Sequence, residues 1–225
     1  MTLRLLARVE NLPKRFKLCS FKNFETNKDN SNLFNICRAW RGEESIILTG
    51  NIGTGKTHLA IAMLRNFPMI ERDEEEANLN LRRLHWQEKS VTEGEKEKIE
   101  VLIKNELWKY RSARCLFISF IELFLLLNAA AFDESGKLGM LNRYIGVSAY
   151  DCICFDDLGT EKLTEAKREN LHYIIDGRYK AMLPTIITSN FTLSEIADYD
   201  PRVASRFVEM GKILQFNGSD YRNRK

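Results

Sequence analysis

Gly50-Asn51-Ile52-Gly53-Thr54-Gly55-Lys56-Thr57 is the stretch on which the reading of this chain turns. It follows a short apolar run, Ser45-Ile46-Ile47-Leu48, and opens a segment, Lys56 to Arg65, with Leu59, Ala60, Met63 and Leu64 on one helical side. Buried strand, glycine loop and helix N-terminus, in that order, make an anion cradle. Backbone N–H groups wrap a phosphate, and the helix dipole adds partial positive charge. Glycines allow close backbone approach and positive φ, which side chains would oppose. Gly50, Asn51, Ile52, Gly53, Thr54, Gly55, Lys56, Thr57 and the following His58 are therefore the expected nucleotide contacts. Lys56 would reach the β- and γ-phosphates, and the Thr57 hydroxyl would hold Mg²⁺. His58, on the first helical turn, would flank the nucleotide without acting chemically.

A loop of this kind needs a second strand ending in an acid that reaches the same metal. Cys152-Ile153-Cys154-Phe155-Asp156-Asp157-Leu158-Gly159 supplies it. Four apolar residues without alternation suit a central parallel strand covered on both faces. Carboxylates at the carboxyl end of such a strand fall where open α/β sheets place ligands. Asp156 is the expected Mg²⁺ acid, directly or through water, and Asp157 the group that orients or polarises attacking water. The plain alternative, paired acids that merely cap a strand, loses weight beside the phosphate loop. A third strand, Pro184-Thr185-Ile186-Ile187-Thr188, ends in Ser189-Asn190, where Asn190 would sense the γ-phosphate or, alternatively, cap the next turn. In Asp200-Pro201-Arg202-Val203-Ala204-Ser205-Arg206-Phe207, Asp200 is a natural N-cap and Pro201 a natural first helical residue. Arg202 and Arg206 then share a face. From a subunit edge either could act on phosphate in a neighbour's site; a solvated basic face is the alternative.

Length and composition fit one soluble α/β domain. The chain has 225 residues, 44% hydrophobic and 29% charged, with a net charge of +3. That balance permits a local basic groove for nucleic acid without demanding one. Lys14, Arg15 and Lys17, and Arg222, Arg224 and Lys225, are the basic clusters. Five cysteines without a Cys-x-x-Cys pair suit packing in a reducing cytosol rather than disulfides or zinc, and the expected location is cytoplasmic. Residues 118–132 form the strongest apolar run, but Glu122 and Asn128 mark it as a strand end and core helix, not a membrane span.

Five strands are expected near residues 45–49, 113–119, 151–156, 184–189 and 212–216, alternating with helices in the rhythm of a parallel sheet. Residues 1–44 form a lead-in, with a helix around Leu33 to Trp40. Residues 67–112, dense in Glu, Lys and Arg, exceed what a minimal β–α–β unit needs. They read as a helical hairpin or a mobile charged loop, either a spacer or a partner-docking arm.

These pieces in this order resemble the AAA+ ATPases of the DnaC-type helicase-loader group, with the IstB-type transposition helpers close behind. The resemblance runs from Leu12-Pro13-Lys14-Arg15-Phe16 and Ser20-Phe21-Lys22-Asn23-Phe24 through the loop. It continues through Ala113 to Ser119, Asp156-Asp157-Leu158-Gly159, Ile174 to Tyr179, Thr188-Ser189-Asn190 and Ser205-Arg206-Phe207, and closes on Asn217 to Arg222. It implies a P-loop NTPase of AAA+ type with a five-stranded parallel sheet ordered 5-1-4-3-2, lacking the C-terminal helical lid. It further implies ATP and Mg²⁺ as cofactors, Asp156 and Asp157 as the Walker B pair and Asn190 as sensor. Arg206 would be the arginine finger acting in trans, with Arg202 as fallback and Arg222 a tail arginine without an assigned role. Asp157 stands where most AAA+ members carry Glu, so slow turnover and use of ATP as a switch are expected. The partners implied are a replicative DNA helicase or a transposase, single-stranded DNA, and further copies of the chain. A small-molecule kinase or a non-hydrolysing binding module are the rivals from other classes. The Ser205-Arg206-Phe207 segment weighs against the first, and intact Lys56, Asp156, Asp157 and Asn190 against the second.

Overall fold

The computed structural model describes residues 7–68, 70–71, 92–104, 110–129, 136, 139, 141–142, 144, 150–160, 164–218 and 220–221. In chain order the elements are β1 (Arg8–Glu10), α1 (Ser31–Ala39), β2 (Ser45–Gly50), α2 (Lys56–Arg65), β3 (Ile70–Glu71), α3 (Glu93–Lys104), β4 (Tyr110–Arg111), β5 (Arg114–Ser119), α4 (Phe120–Ala129), β6 (Cys152–Leu158), α5 (Glu165–Lys180), β7 (Thr185–Ser189), α6 (Leu193–Tyr199), α7 (Pro201–Met210) and β8 (Gly211–Phe216).

The main sheet is parallel throughout, in the order β1-β5-β6-β7-β2-β8. Read from β8 to β5, its five longer strands follow the implied order 5-1-4-3-2. The expected count of five is corrected to six, because the lead-in contributes β1, pairing Arg8–Glu10 with Arg114–Leu116. Three residues carry too little periodicity to signal a strand. Tertiary pairing fixes this one instead: the Arg8 N–H donates to Ala113 O at 2.7 Å, and the Asn11 amide donates to Phe117 O at 3.1 Å.

Both faces of the sheet are buried, which is why its strands read as unbroken apolar runs. Alternation in each strand splits the core in two. Ile46, Leu48, Cys152, Cys154 and Ile186 pack with Leu59, Met63, Phe34 and Trp40 under α1 and α2. Ile47, Ile153, Phe155 and Ile187 pack with Phe120, Leu171, Ile174 and Phe207 under α4, α5 and α7. Helix ends follow the capping rules: Thr164 accepts from Lys167 N, Thr192 and Glu195 form a reciprocal box, and Asp200 accepts from Arg202 N and Val203 N ahead of Pro201. The Arg178 guanidinium, fully buried, donates to Thr185 Oγ1, Tyr144 O and Pro184 O and so fastens the end of α5 to β7.

Of the charged insertion, α3 and the antiparallel pair β3–β4 are described. That pair joins Ile70 with Arg111 and Glu71 with Tyr110, where the segment leaves and rejoins the body. The first helical pattern expected there, with Leu81, Leu84 and His85, lies outside the described residues, as do Arg222, Arg224 and Lys225. No helix among the described residues is long and apolar enough to cross a membrane.

Candidate nucleotide site

The loop between β2 and α2 is shaped by backbone conformations that glycine alone adopts easily. Gly50 has φ 109°, and a Cβ there would lie 2.2 Å from Phe216 O on the neighbouring strand. Gly55, the N-cap of α2, has φ 90°, and the Phe24 ring from the lead-in lies against it. The Lys56 ammonium turns back into the loop, donating to Gly50 O at 2.8 Å, Asn51 O at 2.7 Å and Asn190 Oδ1 at 2.9 Å. This fixes the lysine at the place where phosphate charge would arrive.

Sheet order delivers the acids. β7 lies between β6 and β2, so the ends of β6 and β7 meet the start of α2. Asp156 Oδ1 accepts from Thr57 Oγ1 at 2.8 Å and from Thr188 Oγ1 at 2.6 Å. Asp157 adopts a left-handed φ of 66°, costly for a non-glycine residue. Its N–H donates to Thr188 Oγ1 at 2.9 Å, and its carboxylate accepts from Asn190 Nδ2 at 2.7 Å. Asn190 thus bridges Lys56 and Asp157, while the cap of the next helix is Thr192. The alternative role of Asn190 as a turn cap is not the one the fold uses.

Thr188 was not singled out as a site residue, yet its hydroxyl binds both acids. Its signal was spacing: Thr188 and Asn190 are two apart on a strand end and so point to one side.

Burial is the main force raising the carboxyl pKa of both acids. For Asp156, hydrogen bonds from Thr188 and Thr57 oppose the rise and the charge of Asp157 adds to it. For Asp157, Lys56 and Asn190 oppose it. A hydroxyl and two carboxylates are the hard oxygen donors that Mg²⁺ takes. The donor set therefore fits that ion, and Thr57 and Asp156 are the groups that would hold it.

The loop's flanks come from both ends of the chain. Tyr221 N–H donates to Gly53 O at 3.0 Å. The Tyr221 hydroxyl accepts from Asn27 Nδ2 at 2.8 Å and Asn30 Nδ2 at 2.7 Å, and donates to Glu25 O at 3.1 Å. Asn51 Nδ2 donates to Gly218 O at 3.3 Å. His58 Nε2 lies 2.9 Å from Ser20 O, and its ring meets Phe24 edge-on. In the structure this side chain pins the lead-in to α2.

The crystal structure of the DnaC helicase loader aligns with a TM-score of 0.59 at 22% identity, covering 91% of this chain and 100% of that one. The replication initiator DnaA, bound to AMPPCP and single-stranded DNA, aligns with a TM-score of 0.61 at 16% identity over 93% of this chain and 52% of that one. The chain has the AAA+ fold. Uncharacterized protein YqaM of Bacillus subtilis (strain 168) is 23% identical over 173 residues, 75% of this chain, which spans 41% of that relative's length. No protein-family model matches the chain.

Within this AAA+ fold the two candidate finger arginines stand apart from the acid cluster, on α7. Arg206 donates from Nε to Asp176 Oδ1 at 2.9 Å and from Nη1 to Glu209 Oε2 at 3.0 Å, with its guanidinium 4.7 Å from the Tyr179 ring centre. Arg202 is half exposed and lies 3.6 Å from the buried Asp200 carboxylate. Both line a shallow depression with His172, Pro201 and Ser205.

Raised carboxyl pKa values mean that the folded protein holds protons the unfolded chain releases, so stability falls as pH rises from the ordinary 3.8 through the raised value. Asp156→Asn should therefore raise the melting temperature of nucleotide-free protein at pH 7, with the advantage fading towards pH 4. Thermal scans across that range check it; a lower melting temperature at pH 7 would show that the charged form stabilises the fold.

Proposed function

We propose that the chain binds ATP with Mg²⁺, hydrolyses it slowly, and uses the cycle to load or remodel a replicative DNA helicase on single-stranded DNA. One observation carries the reading. Lys56, Asn190 and Asp157 form a continuous hydrogen-bonded chain beside the Thr57–Asp156 pair, on a fold shared with a helicase loader. Bound Mg²⁺ would neutralise charge developing on the β- and γ-phosphates. Lys56 would add its own charge there, with Thr57 and Asp156 as the metal's anchors. Asp157 is the acid left to orient water. Its carboxylate is engaged by Asn190, and its side chain is one methylene shorter than that of glutamate, which supports slow turnover.

Arg206 is the proposed finger for a neighbouring copy. Its cis partners Asp176 and Glu209 would be exchanged for phosphate on association, and Arg202 is the fallback. The reduced cysteines suit the cytoplasm.

Lys56→Ala should abolish binding of a fluorescent ATP analogue at concentrations that saturate the unchanged protein; retained binding would sink the nucleotide reading. Arg206→Ala should leave that binding intact and remove ATP hydrolysis stimulated by partner or DNA, followed by phosphate release. Full stimulated activity in that variant would move the finger to Arg202 or away from α7. Affinity capture from the host lysate with ATP and Mg²⁺ present, read by mass spectrometry, should retain a replicative helicase subunit. A transposase in its place would overturn the helicase assignment while leaving the ATP site untouched.

A further inference from the structure

The lead-in carries a charge imbalance that the nucleotide site does not use. Residues 14–41 hold seven lysines and arginines against two carboxylates, Glu25 and Asp29, a net of +5 in a chain whose total is +3. Six of the seven, Lys14, Arg15, Lys17, Lys22, Lys28 and Arg38, are exposed and form no ion pair among the described residues. Several charges elsewhere are matched: Arg111 meets Asp151, Arg168 meets Asp200, Lys180 and Arg206 share Asp176, and Lys212 meets Glu44. Like charges left side by side repel and weaken the fold unless something outside neutralises them.

Of these cations, Lys17, Lys22 and Arg38 gather around the far end of α2. Arg65, the last residue of α2, donates to Lys17 O and Cys19 O and holds the Lys17 segment there. Asn66, the next residue, lines a groove with Phe21, Lys22, Arg38 and Arg41, and no carboxylate is among the described residues lining it. Asn66 lies ten residues beyond Lys56, roughly 15 Å along the helix axis. This face is thus a second basic surface, separate from the phosphate loop.

Its chemistry selects a partner class. Insertion into a membrane surface needs a continuous apolar face beside the charges. Here Phe16, Phe21, Phe24, Leu33 and Ile36 pack against the core, and Leu18 is the one large, strongly exposed apolar residue among the described lead-in residues. Partly exposed rings remain beside the cations. Arg15 lies 4.8 Å over Phe16, and Phe21 edges the groove. Cations tracking a backbone, interleaved with rings on which bases stack, are what single-stranded nucleic acid binds.

We propose that this face of the lead-in is a contact for the phosphate backbone of single-stranded DNA. The proposal deepens the DNA-associated reading above and rests on it, but it does not depend on ATP being bound. The test uses the full chain and a fluorescently labelled polythymidine oligonucleotide, followed by anisotropy over a salt series. The triple variant Lys17→Glu, Lys22→Glu, Arg38→Glu should bind at least about tenfold more weakly at low salt. The slope of log K against log salt should fall by about 2, since each single-strand phosphate contact contributes about 0.7. Unchanged affinity and slope would overturn the proposal. So would undiminished oligonucleotide binding with lost binding to phosphatidylserine vesicles, which would make the face a membrane surface. Equal competition by polyglutamate at matched charge would also overturn it, making the face a site for acidic protein. Binding of the fluorescent ATP analogue by the same samples separates the two readings. Intact DNA binding in a protein that binds no nucleotide sinks the ATP assignment and leaves this face standing. Should the triple reversal fail to fold, Lys17→Gln with Lys22→Gln replaces it, with a slope change of about 1.4 expected and no change overturning the proposal.

Discussion

Two adjacent carboxylates, Asp156 buried and Asp157 half-buried, are the constraint to which the rest of this fold answers. Removing a carboxylate from water is costly, and placing a second next to it raises the cost. Asp156 and Asp157 are tolerated because Thr57, Thr188, Asn190 and Lys56 surround them with donors and one positive charge. Those groups come from the first turn of α2 and the end of β7. The acids therefore dictate that β7 lie beside β6 and that β2, which feeds α2, lie beside β7. What remains uncompensated is a local excess of negative charge facing a loop of backbone amides, an arrangement that a divalent cation with an anionic ligand would balance. The acid pair thus costs the fold stability at the place where a bound cation would restore it, as functional sites commonly do.

The loop is held from the outside as well. Phe24 closes on Gly55, and the tail reaches Gly53 through Tyr221. The Tyr221 hydroxyl satisfies two asparagines and a carbonyl of the lead-in, so both flanks of the loop are fastened to each other as well as to the loop itself. Such bracing matters because a phosphate cradle made of backbone N–H groups works only if those groups already point inward. The α7 edge is organised on the opposite logic. Arg206 is satisfied by carboxylates of its own chain, which keeps a long charged side chain ordered.

How much of this was legible depended on whether a feature is local. The runs ending at Leu48 and Phe155 are continuous and apolar because both sheet faces are covered, and an unbroken run followed by glycines or acids is readable residue by residue. Asp200-Pro201 announced a helix start that the fold uses unchanged. Strand order was not in the residues; it came from the resemblance alone. β1 was invisible because three residues have no period. Thr188 reads only as the end of a strand, since a threonine in a β-rich run is ordinary until the neighbouring strand supplies acids for its hydroxyl. The partners of His58 and Tyr221 lie 38 and about 190 residues away, beyond any pattern of spacing.

The position of β2 has a consequence for how the chain acquires its structure. It is the strand that carries the phosphate loop, it is buried along its whole length, and both its neighbours come late in the sequence. Thr185 at the start of β7 is 140 residues beyond Ser45, and β8 is later still. A ribosome making this chain releases an apolar strand long before anything can pair with it. The closure entropy of those long loops must be met before the strand is protected. The cradle is therefore among the last parts to be finished. A chain stalled short of β8 would expose this buried apolar strand with one edge open, and such an intermediate is the one a folding chaperone would have reason to hold.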